Sequence, residues 1–437
     1  MTRGANTHLS YMFESLQRIW KIKSLRHSIL FVVGLLVLFR ATAHIPVPGV
    51  DVEALRGFLT GNQILGLLNV FSGGTIQNFS IVMLGVAPYI TASIIFQLLT
   101  MVIPQLEELQ KEGESGQQKI NAYTRFASVP LAVLQAFALL RLLGSTAAGG
   151  GGQILVNLST FQWVAMVTAV TTGTVFLMWI GELITDKKIG NGISILIFAS
   201  IVSSLPTTLQ NIIVNYNPAD LSTYVLFVLV AIVTVVGVVY ITEGQRNIPI
   251  TYARQVRGRA SAGMTNHLPL RLNMAGVIPI IFAVSVVLFP PMIAQFFAGN
   301  PGTGGDIARW IIAMFGNQIF YGLLYFFLVF GFTYFYTAVV FRPDKMAENL
   351  QRQGAFIANV RPGKQTEEYL GKTMNRLVLS GAFFLAAIAV LPLIVQAFTR
   401  SQVLAVGGIS LLIVVSVAVE MAKQVEAQLT MHSYDRV

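Results

Sequence analysis

Residues 67–103 read LLNVFSGGTIQNFSIVMLGVAPYITASIIFQLLTMVI, in which a short apolar segment stops at two glycines and a long apolar segment follows. The long segment, from Phe79, has the length of a helix that crosses a hydrocarbon core of about 30 Å. The short segment cannot cross such a core. Its residues fit an interfacial helix that ends in a glycine turn, and they equally fit a helix that lines a cavity inside the protein. The stretch therefore predicts a membrane protein in which one helix does not span.

The whole chain has the composition of an integral membrane protein. Of its 437 residues, 54% are hydrophobic and 11% are charged, whereas soluble domains have about 25% charged residues. Apolar runs bounded by glycine, proline or charge predict ten transmembrane helices. Their predicted starts are Ser28, Phe79, Phe126, Phe161, Asn191, Leu221, Asn273, Trp310, Asn375 and Val403. Two sets of five spans enter the membrane from opposite sides, so we expect an all-α fold with inverted halves.

The 29 Lys and Arg residues predict the orientation, because basic residues accumulate in short cytoplasmic loops. Most lie in the N-terminal segment, in the tail or in alternate loops, among them loops 243–272 and 342–376. The exceptions are Arg40, Arg56, Arg141, Arg309 and Arg400. Both termini are therefore predicted to be cytoplasmic. Positive-inside charge accounts for the net charge of +10 without a nucleic-acid partner.

Several function classes lack the residues they require. An ion-coupled transporter needs ionisable groups near mid-membrane, whereas Glu182, Glu420 and Arg40 lie toward predicted helix ends. No GxxxxGK[ST] loop is present to hold a nucleotide phosphate, so an enzyme is not expected. The chain has no cysteine, and its five histidines are scattered, so we expect neither a metal site nor a cofactor. A passive conduit worked by soluble partners fits best, and a structural insertase or scaffold is the alternative.

Eight motifs along nearly the whole chain resemble, in order, those of the SecY family of bacterial protein-translocase channels. The motifs are HIPVPGVD (44–51), NVFSGG (69–74), APYITASIIFQLL (87–99), KEGESGQQKINAYTR (111–125), IGNGISILIF (189–198), HLPLRLNMAGVIP (267–279), GAFIANVRPGKQTEEYL (354–370) and GGISLLIVV (407–415). An N-terminal extension of about 20 residues and the glycine-rich stretch 146–153 depart from the family, at places where loop length varies at little energetic cost.

The resemblance implies an hourglass pore between the two five-helix halves, which conducts unfolded secretory polypeptides and opens sideways to release transmembrane segments into lipid. It also implies the partners SecE and SecG in the membrane, the SecA ATPase or the ribosome at the cytoplasmic face, and precursor signal sequences. The location implied is the bacterial plasma (inner) membrane. The predicted parts are a cytoplasmic segment 1–27, an N-terminal half 28–206, a C-terminal half 207–425 and a cytoplasmic tail 426–437.

The resemblance assigns two sealing elements to the resting pore. A plug at about 63–74 consists of a short helix, at about 63–72, and of Gly73 and Gly74 as its hinge. The plug residues named by the motif are Leu67, Leu68, Asn69, Val70, Phe71, Ser72, Gly73 and Gly74. An apolar ring that offers a passing chain no hydrogen bonds is formed by Val86, Ile90, Ile193, Ile197, Ile281 and Ile413. By residue type alone, ordinary packing within the helix bundle explains each ring position better, by about 9 to 1, and only the resemblance favours the ring.

Two further sites follow from the same resemblance. A lateral gate separates the second and third spans from the seventh and eighth, with Thr91 and Phe289 on its two faces. Gln97 and Asn273 are polar residues that would balance this gate, since interhelical hydrogen bonds in lipid contribute only about 0.6–2 kcal/mol. SecA or the ribosome would dock on arginines of the large cytoplasmic loops, which pair well with carboxylate or phosphate. These arginines are Arg254, Arg257, Arg259 and Arg361.

Overall fold

The structure, a computed structural model, is predominantly helical. It describes residues 20–48, 50, 55, 69, 72–145, 159–214, 221–252, 266–299, 302–399 and 402–434. The helices are α1 (Lys23–Thr42), α2 (Ala87–Val102), α3 (Pro104–Lys111), α4 (Glu114–Ser145), α5 (Thr160–Asp186), α6 (Gly192–Val214), α7 (Leu221–Glu243), α8 (Ile278–Phe297), α9 (Thr303–Gly316), α10 (Gln318–Val340), α11 (Pro343–Arg352), α12 (Lys364–Thr399) and α13 (Gln402–Tyr434). The strands are β1 (Gln245–Tyr252), β2 (Asn266–Arg271) and β3 (Ala355–Ile357).

The helices follow the predicted spans in order, as α1, α2, α4 to α8, α10, α12 and α13. Within the described ranges, seven helices are long and apolar enough to cross a membrane, or eight if the bent pair of α2 and α3 forms one span. The apolar part of α6, Gly192–Pro206, is shorter. These helices are consistent with the ten predicted spans and with the helical fold class.

The second and third spans begin away from their predicted starts. Helix α2 begins at Ala87 rather than near Phe79, because residues 72–86 form turns and Pro88 lies in the first turn of the helix. At its far end the chain bends by 100° between α2 and α3. The third span, predicted to start near Phe126, begins earlier, because α4 starts at Glu114. Polar residues of good helix propensity extend α4 beyond its apolar part.

The later spans differ in a similar way. Helix α8 starts at residue 278 rather than 273, and α12 starts at 364 rather than 375. The predicted eighth span, from Trp310, is two helices, α9 and α10, separated at Asn317. The Asn317 side-chain oxygen accepts the backbone N–H groups of Ile319 and Phe320 at 3.0 and 3.4 Å, which caps α10. Polar extensions and caps thus move the helix ends away from the apolar boundaries.

One compact unit comprises residues 1–216, 288–313 and 417–437. Within its described part, α2 packs on α4, α4 on α5, and α5 on both α1 and α6. Its apolar core joins the turn residues Ile76, Phe79 and Met83 to side chains of α4 and α5 such as Leu140 and Val170. The turn region before α2 is therefore part of the packed core.

The other compact unit comprises residues 217–287 and 314–416. Here α12 packs on α7, α10 and α11. Loops 243–272 and 342–376, predicted without strands, contribute a three-stranded antiparallel sheet in the order β2-β1-β3. Apolar side chains of the sheet, including Ile250 and Ile357, lie in one buried cluster with Leu350 of α11 and Leu370 of α12. The sheet thus joins two loops that are far apart in the sequence into one packed structure.

Candidate functional site

The glycine turn, residues 72–75, ends the short segment that precedes α2. Asn69 is helical, and its carbonyl oxygen accepts the Gly74 N–H at 2.7 Å. Gly73 and Gly74 have φ of +75° and +78°. A bond from residue i+5 back to residue i, with glycine in the left-handed region, is the Schellman arrangement that ends helices. The two predicted hinge glycines thus have the backbone conformation and the bond to Asn69 that are typical of this arrangement.

Two elements hold the Gly73 peptide. From the last turn of α1, Arg40 Nη1 donates to the Gly73 carbonyl oxygen at 2.9 Å. On α6, Ser200 lies so close that a Cβ added at Gly73 would be 2.8 Å from the Ser200 Cα. Such contact permits only glycine, irrespective of φ. Ser200 lies one turn beyond Ile193 and Ile197 on the same face of α6, by helical spacing.

The turn residues are bonded among themselves and to the chain after α1. The buried Thr75 hydroxyl is within hydrogen-bond distance of the carbonyl oxygens of Ser72, at 3.0 Å, and Val82, at 3.3 Å. Val47 N–H donates to the Phe79 carbonyl at 2.8 Å, and Ile81 N–H donates to the carbonyl of residue 45 at 3.1 Å. These bonds fix residues 72–86 as turns although many of their side chains are apolar.

The remaining plug residues are only partly described. Asn69 also receives the Gln77 N–H on its side-chain oxygen at 2.9 Å, and Ser72 donates its hydroxyl to the Asn69 carbonyl at 2.9 Å. Ser72 is 6% exposed. The other predicted plug residues, Leu67, Leu68, Val70 and Phe71, lie outside the described residues.

The predicted ring residues are mostly buried. Val86 is the residue directly before α2, and Ile90 follows one turn later; they are 7% and 6% exposed. On α6, Ile197 is buried, while Ile193 is half-buried and its Cδ1 would be 2.6 Å from a Cβ at Gly181 of α5. Ile193 thus packs at least partly against α5. In the other unit, Ile281 of α8 and Ile413 of α13 are buried.

Two of the predicted gate residues, Gln97 and Asn273, have side-chain amides that form only part of their possible hydrogen bonds. Gln97 donates its side-chain NH₂ to the Ser93 hydroxyl at 3.2 Å, and Asn273 donates its own to the Gly276 carbonyl at 3.0 Å. The side-chain oxygens of Gln97 and Asn273 are buried without a hydrogen-bond partner among the described residues. Thr91 is half-buried and donates to the Ala87 carbonyl in its own helix. Phe289 is half-buried on α8.

The predicted docking residues belong to the loops of the sheet. Arg361 is exposed between β3 and α12, and its carbonyl oxygen accepts the Thr366 hydroxyl at 2.9 Å. Arg254, Arg257 and Arg259 lie outside the described residues, between β1 and β2. Because β1 pairs with both β2 and β3, the two arginine-bearing loops arise from one sheet.

Two charged contacts were missed by the analysis of the sequence. Arg125 of α4 forms an ion pair with Glu182 of α5, which accounts for the acidic residue near the end of that span. Arg40 contacts the glycine turn rather than solvent alone. In the sequence, Arg40 stands at the end of an apolar span and has no acidic residue three or four positions away. This pattern indicates that Arg40 needs a partner, but the partner is known only from the tertiary structure.

Comparison with known families decides the identity of the fold. The family model described as SecY matches residues 80–422, well over half of the chain. The chain belongs to the SecY family. This is a family of channel subunits rather than of catalytic enzymes, and the helical, multi-span architecture described above agrees with it.

Individual relatives extend the match to nearly the full length. The chain is 40% identical over 435 residues to the protein translocase subunit SecY of Streptomyces galbus, covering 97% of this chain and 99% of that one. The fold resembles a structure of SecY whose plug domain is described as stabilising the closed translocation channel, with a TM-score of 0.62, 18% identity and 91% of both chains covered. It also resembles Sec61 in a canine ribosome-channel complex, with a TM-score of 0.58, 15% identity and 91% and 90% covered.

Proposed function

We propose that this chain is the channel-forming subunit of a bacterial protein translocase. It conducts unfolded secretory polypeptides across the plasma membrane and releases transmembrane segments sideways into lipid. Membership of the SecY family, with 40% identity over 435 residues to a bacterial translocase subunit, is the observation that supports this proposal. Both termini are cytoplasmic in this proposal, because most basic residues lie on that side.

The resting channel is sealed in two ways. Residues 63–74 form the plug, and the glycine turn attaches it to the core that precedes α2. The ring residues Val86, Ile90, Ile193, Ile197, Ile281 and Ile413 close the constriction. Their apolar side chains disfavour water in a narrow pore and give a passing polypeptide nothing to bind. Five of these six side chains are buried and Ile193 is half-buried, which supports this role.

The polar residues of the gate contribute few hydrogen bonds that would oppose its opening. Gln97 and Asn273 each keep one buried amide oxygen without a partner among the described residues, and each such group costs free energy in the closed state. An apolar signal segment that enters between the helices therefore meets little opposing hydrogen bonding. Thr91 and Phe289 form the two faces that part.

Partners act from both the membrane and the cytoplasm. SecE and SecG pack in the membrane, while the SecA ATPase or the ribosome docks on Arg254, Arg257, Arg259 and Arg361. The Arg361 side chain is exposed on the loop between β3 and α12, where it is accessible to a carboxylate or a phosphate of a partner.

A crosslinking scan tests the channel function directly. The chain has no cysteine, so single-cysteine variants carry a photo-crosslinker at one position only. A stalled secretory precursor should crosslink to Ile90→Cys, Ile197→Cys and Ile281→Cys. It should not crosslink to Phe161→Cys, whose parent side chain is 82% exposed on the outside of α5. Equal crosslinking at all four positions, or none at the first three, contradicts a path lined by these residues.

A further inference from the structure

Arg40 is a charged side chain in the last turn of a membrane-spanning helix, and it is half-buried. Among the described residues no carboxylate lies within salt-bridge distance of it. Its Nη1 donates instead to the Gly73 carbonyl oxygen at 2.9 Å, 33 residues along the chain. Because a half-buried guanidinium requires hydrogen-bond acceptors, the Gly73 carbonyl is an acceptor that the fold supplies to Arg40.

Favourable interaction with its own helix does not explain this contact. A basic residue at a helix C-terminus interacts with the partial negative charge of that helix and bonds to its last carbonyl groups. Arg40 extends away from α1 to a different segment. The Arg40 side chain thus binds the glycine turn, residues 72–75, that precedes α2.

The geometry of the turn presents the Gly73 carbonyl to Arg40. The Gly74 N–H donates to the Asn69 carbonyl, and Gly73 and Gly74 both have left-handed backbone conformations. On α6, the Ser200 backbone lies against the Gly73 Cα, so that no side chain fits between them. The Gly73 peptide is therefore held between α1 and α6 by one charged hydrogen bond and one close contact.

We propose that Arg40 is a latch: a positioning residue that holds the plug in its closed position through the Gly73 carbonyl, and that exchanges this carbonyl for water when the plug leaves. This proposal rests on the proposed function of residues 63–74 as a plug. A charge-assisted hydrogen bond is strong enough to bias the closed state and can still be replaced by water in an opened cavity. Ser200 acts as the opposite, steric side of the latch.

Thiol labelling tests the latch in the full-length channel in its native membranes. Ser72→Cys places the only thiol of the chain next to the Gly73 peptide, at a position 6% exposed in the closed state. Labelling by a water-soluble maleimide is measured in this background with Arg40→Gln, with Arg40→Lys and with Arg141→Gln. The last variant removes an exposed arginine from α4 and serves as the matched charge control. Ser128→Cys, buried in α4, reports general loosening of the same unit.

We expect Arg40→Gln to accelerate labelling at position 72 on the order of tenfold, the factor for loss of one charged hydrogen bond. Arg40→Lys keeps a cationic donor and should restore at least part of the protection, whereas Arg141→Gln should change nothing. The thiol at position 128 should stay protected in every variant. Unchanged labelling in Arg40→Gln, absence of rescue by lysine, or equal exposure of position 128 overturns the latch.

Measurements of conductance distinguish a failure of the latch proposal from a failure of the plug proposal. Ion conductance of the same membranes shows whether displacement of residues 63–72 opens a leak. Faster labelling at position 72 without added conductance supports the latch and contradicts the sealing role of the plug. A leak on deletion of residues 63–72, together with unchanged labelling in Arg40→Gln, supports the plug and contradicts the latch.

Discussion

At the scale of single residues, the two glycines of the turn have the same backbone conformation but different surroundings. Both have positive φ, which an L-residue adopts only at a cost of roughly 1–2 kcal/mol. A Cβ at Gly74 would meet no atom within 4 Å, whereas a Cβ at Gly73 would collide with the Ser200 backbone. Backbone atoms of α6 cannot move aside as a flexible side chain does. Only Gly73 is therefore fixed by packing as well as by conformation.

This difference gives a matched pair of substitutions. Gly74→Ala should destabilise the closed turn by about 1 kcal/mol, from strain alone. Gly73→Ala should cost more, because it adds a collision with α6, and should release the proposed plug. Thermal unfolding and resting ion conductance of reconstituted channels measure the two effects. Equal conductance in the two alanine variants would show that the Gly73 contact with α6 does not hold the closed state.

At the scale of elements, the cytoplasmic loops are built from short helices and strands rather than from free chain. Strand β3 pairs with β1 through Ile250 and Ile357, and α11 packs on α12 next to it. Arg361 follows β3 and precedes α12, so it is displayed from a supported loop. A sheet edge and a helix start on either side limit how far this arginine can move.

Charge reversal at this loop tests docking. Arg361→Glu should leave the fold intact because the side chain is exposed, yet it should slow transport driven by SecA or weaken ribosome binding at least several-fold. Lys372→Glu, on the exposed side of α12, makes the same change in charge away from the loop and should have a smaller effect. Reconstituted translocation rates compare the two. Equal rates in both variants and the parent would remove Arg361 from the docking site.

At the scale of the whole molecule, the proposed seal consists of the ring and the plug, which exclude water and ions in different ways. The ring seals by the bulk and apolarity of six side chains, and the plug seals by occupying the cavity. An apolar constriction expels water only while it stays both narrow and apolar. Loss of either property in the ring should therefore cause a larger defect than loss of the plug, which leaves the constriction in place.

Single-channel conductance measures these contributions. Replacement of Ile90 and Ile193 together by Asn should let water and ions through the resting channel, and replacement by Gly should do so by widening it. Deletion of residues 63–72 should give a smaller or intermittent leak, and the combination with the Asn pair should give the largest. Poor signal sequences should also be admitted more readily as closure weakens. An Asn pair that stays as ion-tight as the parent, at normal expression, shows that these side chains do not line the constriction.

The sequence by itself determined the membrane class, the order of the spans and the family, because these depend on local composition and on contiguous motifs. It placed the start of α5 within one residue, where Ser159 and Gln162 form a capping box four residues long. It misplaced α2, because the apolar residues after Phe79 are held as turns by hydrogen bonds to the chain that follows α1. It also missed the sheet, in which Thr251 of β1 pairs with Phe356 of β3, 105 residues further along the chain. The tertiary structure decided these features, since their partners are distant along the chain and no local pattern identifies them.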